Sequence, residues 1–156
     1  MKKMTIGYTS GVYDLFHVGH LNMLRNAKSL CDKLIVGVTT DELVSYKNKK
    51  AVIPFHERLE IVRNIKCVDA VVPQVDMNKM KQWEKLKFDV IFVGDDWYNT
   101  DKWKEFEAEF ANKIGTEYCQ LVSSGTSYGR YGVYFRTNIG PVSIPKREST
   151  LEKKGL

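Results

Sequence analysis

The sequence predicts an α/β domain: an open parallel sheet of about five strands with helices on both faces. Three observations carry this. Short apolar runs alternate with stretches of helical periodicity from Met4 to Val122. The run Lys33 to Thr39 is almost continuously apolar, as a strand covered on both faces must be. Residues with chemical capability cluster just after the strands, where ligands bind open α/β sheets.

Met4 to Tyr8 is the first strand and extends towards Gly11. A helix follows over Gly19 to Leu30, with Leu21, Leu24, Ala27 or Lys28, and Cys31 on one face. Lys33 to Thr39 closes a βαβ unit within forty residues. Asp41 to Val44 makes one helical turn, with Thr40 or Asp41 as its N-cap. Pro54 opens a helix as its first residue and carries it to about Ile65. Ala70 to Val72 is the third strand and stops at Pro73; Asn78 to Leu86 is the next helix, capped by Met77 or Asn78. Val90 to Val93 is the fourth strand, Asp101 to Lys113 a helix with Trp103, Phe106 and Phe110 in its core stripe. Thr116 to Val122 is the fifth strand. Beyond it the pattern weakens: Tyr131 to Arg136 reads as a further short strand, and residues 138–150 are Pro-rich and irregular. Residues 1–122 thus form the core, and 123–156 an atypical C-terminal segment of the same domain.

A chain of 156 residues suits one domain with a real core, and 43% apolar with 28% charged residues is the globular range. No apolar run approaches a membrane span, and Met1-Lys2-Lys3 is not followed by a signal-peptide core, so a cytoplasmic protein is expected. Cys31, Cys67 and Cys119 lack metal-ligand spacing and read as buried free thiols. The net charge of +5 comes without the aromatic-basic interleaving of a nucleic-acid binder, so small phosphorylated substrates explain it better.

The chain is organised around Gly11-Val12-Tyr13-Asp14-Leu15-Phe16-His17-Val18-Gly19-His20. This is a strand-to-helix turn, and the helix behind it points free amides and a positive dipole end at the turn. Phosphates bind there readily. Gly19 lets a phosphate approach the backbone, and His17 and His20 flank it as donors. Three more stretches reach the same sheet edge: Lys47-Asn48-Lys49-Lys50, Gly94-Asp95-Asp96-Trp97, and the segment after Val122. Each has a plainer reading in isolation, as a capped turn, a solvated crossover or a packed Trp; their convergence argues for a site.

His17-Val18-Gly19-His20 resembles the HxGH signature of the nucleotidyltransferase superfamily, and the ten-residue block resembles its cytidylyltransferase branch, nearest to the glycerol-3-phosphate cytidylyltransferases. The resemblance implies a Rossmann-like fold, and CTP and a phosphorylated small alcohol as substrates. It implies nucleotide contacts from Gly11, Val12, Tyr13, Asp14, Gly19 and the Gly94, Asp95, Asp96, Trp97 segment. It sets Lys47 towards the acceptor and Lys49 towards the nucleotide phosphates, with Arg58 and Lys81 (or Lys79) on the acceptor side. His17, His20, Lys47 and Lys49 are then the catalytic residues, magnesium arrives with the nucleotide, and a homodimer is expected.

The resemblance fails after the fifth strand. Family members carry an Arg-Thr-Glu-Gly-Ile-Ser-Thr-Thr type segment there that grips the triphosphate. Two stretches compete for that role: the turn with Thr126 and Ser127, and the Arg136-Thr137 pair. The expected reaction is transfer of CMP to sn-glycerol 3-phosphate with release of pyrophosphate. An adenylyltransferase, a choline- or ethanolamine-phosphate cytidylyltransferase and a non-catalytic nucleotide-binding module are the alternatives.

Overall fold

Leu34 to Val38, all but Gly37 apolar and every one buried, form the strand around which the sheet is laid. The computed structural model describes residues 4–46, 48–94, 116–121 and 131–137, with Asp101, Lys102, Lys104, Glu105, Ala108 and Glu109 in helical conformation. In chain order the elements are β1 (Ile6–Gly11), α1 (Val18–Ser29), β2 (Lys33–Thr39), α2 (Asp41–Tyr46), α3 (Phe55–Arg63), β3 (Ala70–Gln74), α4 (Lys79–Leu86), β4 (Val90–Gly94), β5 (Thr116–Leu121) and β6 (Tyr131–Thr137). The order across the sheet is β3-β2-β1-β4-β6-β5.

The first four strands are parallel, as expected of a Rossmann-like sheet. The far side departs from expectation. The fifth strand does not lie beside the fourth: β6 takes that place, antiparallel to β4, and β5 pairs with β6 from outside. A further parallel neighbour needs a crossover long enough for a helix, and no helical pattern follows Val122. An antiparallel pair needs only a short connection, and the nine residues 122–130 supply one.

Alternating side chains split the core into two layers. On one face Tyr8, Ile35, Ile91 and Val93 pack with Met80 and Phe88, joined by Trp83 and Leu86 of α4. On the other, Leu34, Val36, Val38, Val90 and Phe92 meet Leu24 and Ala27 of α1 and Val62 of α3. Full burial of a side chain such as Leu24 contributes roughly 1.5–3 kcal/mol. Two boundaries shift from the sequence reading: Pro54 is the N-cap of α3 rather than its first residue, and Pro73 lies inside β3. Asn78, one of the two expected caps, caps α4 through the amides of Met80 and Lys81. β3 is an edge strand, where the missing amide of a proline costs no ladder bond. Cys31 and Cys67 are free thiols, half-buried rather than buried, and burial pushes the Cys31 thiol up to about 12. The side chains of Cys119, Trp103, Phe106 and Phe110 lie outside the described residues.

Gly37 is required by a neighbour. A Cβ there would collide with the hydroxyl of Tyr8, which is buried, stacked on Phe88 and closes no hydrogen bond of proper geometry although Ser10 lies beside it. Burial pushes this phenol up to about 12. Gly37→Ala is expected to cost about 1–3 kcal/mol through overpacking. Tyr8→Phe removes an unpaired buried hydroxyl, so it is expected to be neutral or stabilising and to recover part of the Gly37→Ala loss. Denaturant unfolding of the two single variants and the double variant checks this; additive effects would separate the two residues.

Candidate active site

Strand order reverses between β1 and β4, with β2 on one side of β1 and β4 on the other. In open α/β sheets ligands bind at such a switch point, outside the carboxyl ends of the strands. The Gly11–His20 turn lies at it, because β1 ends at Gly11 and α1 begins at Val18. Tyr13 and Leu15 hold left-handed backbones, φ 55° and 48°, an uncommon state for residues with side chains. The Tyr13 ring is buried among Leu24, Val36 and Val38, so its side chain is an anchor of the turn rather than a surface for a nucleotide.

The two histidines cap α1 reciprocally. His17 Nδ1 accepts the amide of Gly19 at 3.0 Å, and His20 Nδ1 accepts the amide of His17 at 3.2 Å. These bonds satisfy two of the amides that a helix start leaves without partners. They also fix chemistry: a ring whose Nδ1 accepts an N–H carries its own proton on Nε2. The rings stack with centroids 4.0 Å apart, so the two Nε2–H donors belong to one rigid pair. Burial, then the neighbouring His17, holds the His20 imidazole below its usual pKa, partly offset by Asp14. His20 is therefore neutral at neutral pH, a donor that brings no charge of its own.

Arg58 corrects the sequence reading. It was expected at the acceptor phosphate, yet its side chain is wholly buried. Nε donates to the carbonyl of Ile53 at 2.8 Å. Nη1 donates to the carbonyls of Val12 at 2.8 Å and Thr39 at 2.7 Å, and Nη2 to Asp41 at 2.7 Å. One guanidinium thus ties together the first turn, the end of β2, the start of α2 and the entry to α3. The signal was present in the sequence: Phe55, Arg58, Leu59 and Val62 follow helical spacing, which puts Arg58 on the inner stripe of α3.

Asp14 and Asp41 extend this brace. Asp14, expected at the nucleotide, uses its two carboxylate oxygens on the amides of Val52 and Ile53, at 2.8 and 2.9 Å. Asp41 accepts the amide of Phe55 at 3.1 Å as well as the guanidinium. Those amides, with Arg58 for Asp41, hold both carboxyls below the usual range. Sequence reasoning missed Asp41, which it weighed only as a helix cap; Thr40 caps α2 instead.

The other expected residues fall into three groups. Lys49 is exposed beyond α2, and Lys81 is paired with Asp76 beyond the carboxyl end of β3, so both stand on the same edge as the histidines. Gly94 ends β4 at that edge, where the ladder register shifts. Arg136 does not join them. It pairs with Val90, the first residue of β4, which puts it at the amino edge of the sheet, away from His17 and His20. The reason is the antiparallel run of β6. Lys47, Asp95, Asp96, Trp97, Thr126 and Ser127 lie outside the described residues. The segment holding Thr126 and Ser127 joins Leu121 to Tyr131, which faces Gly94 at the carboxyl edge. Among the described residues no three His, Cys, Asp or Glu side chains converge on a metal position, and no helix is long and apolar enough to cross a membrane.

Comparison with known proteins gives the same outline. The cytidylyltransferase-like family model matches residues 8–120. A glycerol-3-phosphate cytidylyltransferase of Bacillus spizizenii is 40% identical over 98 residues, covering 62% of this chain and 74% of that protein. An ethanolamine-phosphate cytidylyltransferase of Arabidopsis thaliana is 38% identical over 95 residues, covering 57% of this chain and 22% of that protein. Among solved structures, a lipopolysaccharide core biosynthesis protein from Thermoplasma volcanium superposes with a TM-score of 0.63 at 27% identity, over 70% of this chain and 88% of its own.

Proposed function

The chain belongs to the cytidylyltransferase-like family, and from that premise we propose that it transfers CMP from CTP to a phosphorylated small alcohol, sn-glycerol 3-phosphate, releasing pyrophosphate. One observation carries the reading: the Nδ1 bonds of His17 and His20 direct their Nε2–H donors from the start of α1, on the edge of the sheet where phosphates bind. The acceptor's phosphate oxygen attacks the α-phosphorus of CTP. A new P–O bond forms there as the bond to the β-phosphate breaks, and pyrophosphate leaves with the electron pair. The reaction needs no covalent enzyme intermediate. The chain's part is to position and to stabilise charge. His17 and His20 donate to α- and β-phosphate oxygens as charge moves to the leaving group. Lys47 draws in the acceptor phosphate and Lys49 the triphosphate, as mobile cations suited to moving charge.

A magnesium ion bound with the nucleotide would supply countercharge to its phosphates. Asp95 and Asp96 are proposed to accept from the ribose hydroxyls or to help position the magnesium-nucleotide complex, and the segment 122–130, with Thr126 and Ser127, to form a wall of the triphosphate site. The protein acts in the cytoplasm as a homodimer.

The test is pyrophosphate release from each of the four nucleoside triphosphates with a panel of phosphorylated alcohols. Turnover is expected with CTP and glycerol 3-phosphate. Turnover with ATP alone, or with phosphoethanolamine in preference, replaces the substrate; CTP binding with no release on any acceptor makes the chain a binding module.

A further inference from the structure

The stretch that leaves the lysine loop is held with more bonds than a surface connection needs. Residues 52–55 contribute three backbone amides and one carbonyl to side chains from elsewhere. Val52 and Ile53 donate to Asp14, Phe55 donates to Asp41, and Ile53 accepts from Arg58. Val52 is 71% exposed, so the chain here is fixed by its backbone rather than by burial. The partner that matters most is Asp14, because it comes from the histidine turn itself, three residues before His17. Leu15 beside it is held in a left-handed conformation and is also exposed, so no packing enforces that geometry either.

We propose that Asp14 is a positioning residue: its carboxylate locks the histidine turn to the exit of the lysine loop, so that Lys49 and the His17–His20 pair are set at a fixed separation. The inference rests on the proposed reaction, in which those groups act on one nucleotide. Two oxygens accepting two consecutive amides form a rigid link, and Asn cannot replace it, since its NH2 would face an N–H donor. A link of this kind acts on turnover. Displacing a cation by an ångström or so costs as much as 10²-fold.

Two measurements on Asp14→Asn test this. The first is amide hydrogen exchange at Val52 and Ile53. Despite the exposure of Val52, both amides are expected to be protected in the wild-type protein and to exchange at least about tenfold faster in the variant. The second is a double-mutant cycle with Lys49→Ala, read as turnover and as KM for CTP and for acceptor. Asp14→Asn is expected to lower turnover roughly tenfold or more in the wild-type background and less than about twofold once Lys49 is gone. A residue that only supports the fold, or one that touches the nucleotide directly, would multiply the same factor in both backgrounds, and that result overturns the proposal. So does unchanged exchange at Val52 and Ile53. If Lys49→Ala alone leaves kinetics untouched, the lysine's part in the proposed reaction fails, while the exchange measurement still decides the link. Should Asp14→Asn not fold, Asp14→Glu, which keeps the charge but shifts it by one methylene, takes its place with the same expected outcomes.

Discussion

Replacing Arg58 by Met is expected to lower stability by about 3–5 kcal/mol, the range for breaking a buried charge network. The side chain has no exposure, and its removal takes the guanidinium donors from the buried carbonyl of Thr39 and the half-buried carbonyls of Val12 and Ile53. Each unpaired buried acceptor costs on the order of 1–3 kcal/mol, and Met fills the volume without repairing any of them. Asp41, half-exposed, keeps the amide of Phe55 and recovers water, so it adds little to the loss. In a chain of this size the melting temperature should fall by roughly 10 °C. Arg58→Lys is expected to recover only a small part, because an ammonium cannot serve three separated carbonyls and a carboxylate from one point. A melting temperature within a degree or two of wild type would return Arg58 to the role of a ligand-facing residue. Residual folded protein should also be slow, since the same guanidinium joins the histidine turn to the segment after the lysine loop.

The second large effect belongs to His17, and it can be divided. In the proposed reaction the ring does two jobs with two atoms. Nδ1 caps α1, and Nε2 carries the donor. Asn is a good N-cap and has no atom at the Nε2 position. His17→Asn is therefore expected to keep the melting temperature close to wild type while turnover falls by at least about 10²-fold, the scale of one lost transition-state donor. Gln reverses the choice: it reaches with an amide where Nε2 stood and caps poorly. His17→Gln is expected to lose on the order of 1 kcal/mol of stability and to retain more turnover than Asn. Equal losses of turnover and stability in both variants would mean that His17 acts only through the helix.

The four-strand core was legible because its signals are local. Leu34 to Val38 announce a doubly covered strand, and Gly19 between two histidines announces a helix start. The site histidines, Lys49, Lys81 and Gly94 all stand at the edge that the strand-helix alternation assigns to them. Arg58 was misread for a physical reason: charge and family resemblance both suggest a phosphate partner, whereas its partners are three carbonyls and an aspartate far apart in sequence. Backbone acceptors leave no trace in a sequence. The carboxylate of Asp14 is as little announced, since its partners are amides 38 and 39 residues downstream. The sheet's far side failed differently. Tyr131 to Arg136 was read as a strand, but periodicity gives no direction, and direction alone decides that Arg136 lies at the amino edge.

The position of β6 also bears on how a nascent chain survives its own synthesis. Once Gly94 has been made, β1 to β4 have one another as partners, but β4 still lacks its outer neighbour. That neighbour is the last of the described strands rather than the next one, so it follows only after synthesis has reached Thr137, on the order of seconds later. In the interval Val90-Ile91-Phe92-Val93 is a bare edge of apolar, β-favouring residues, the kind of template on which other chains pair. β5 cannot protect it, because β5 reaches the sheet only through β6. The hairpin is therefore a late cover, and a chain that stalls before Tyr131 leaves this edge open to its neighbours on the polysome.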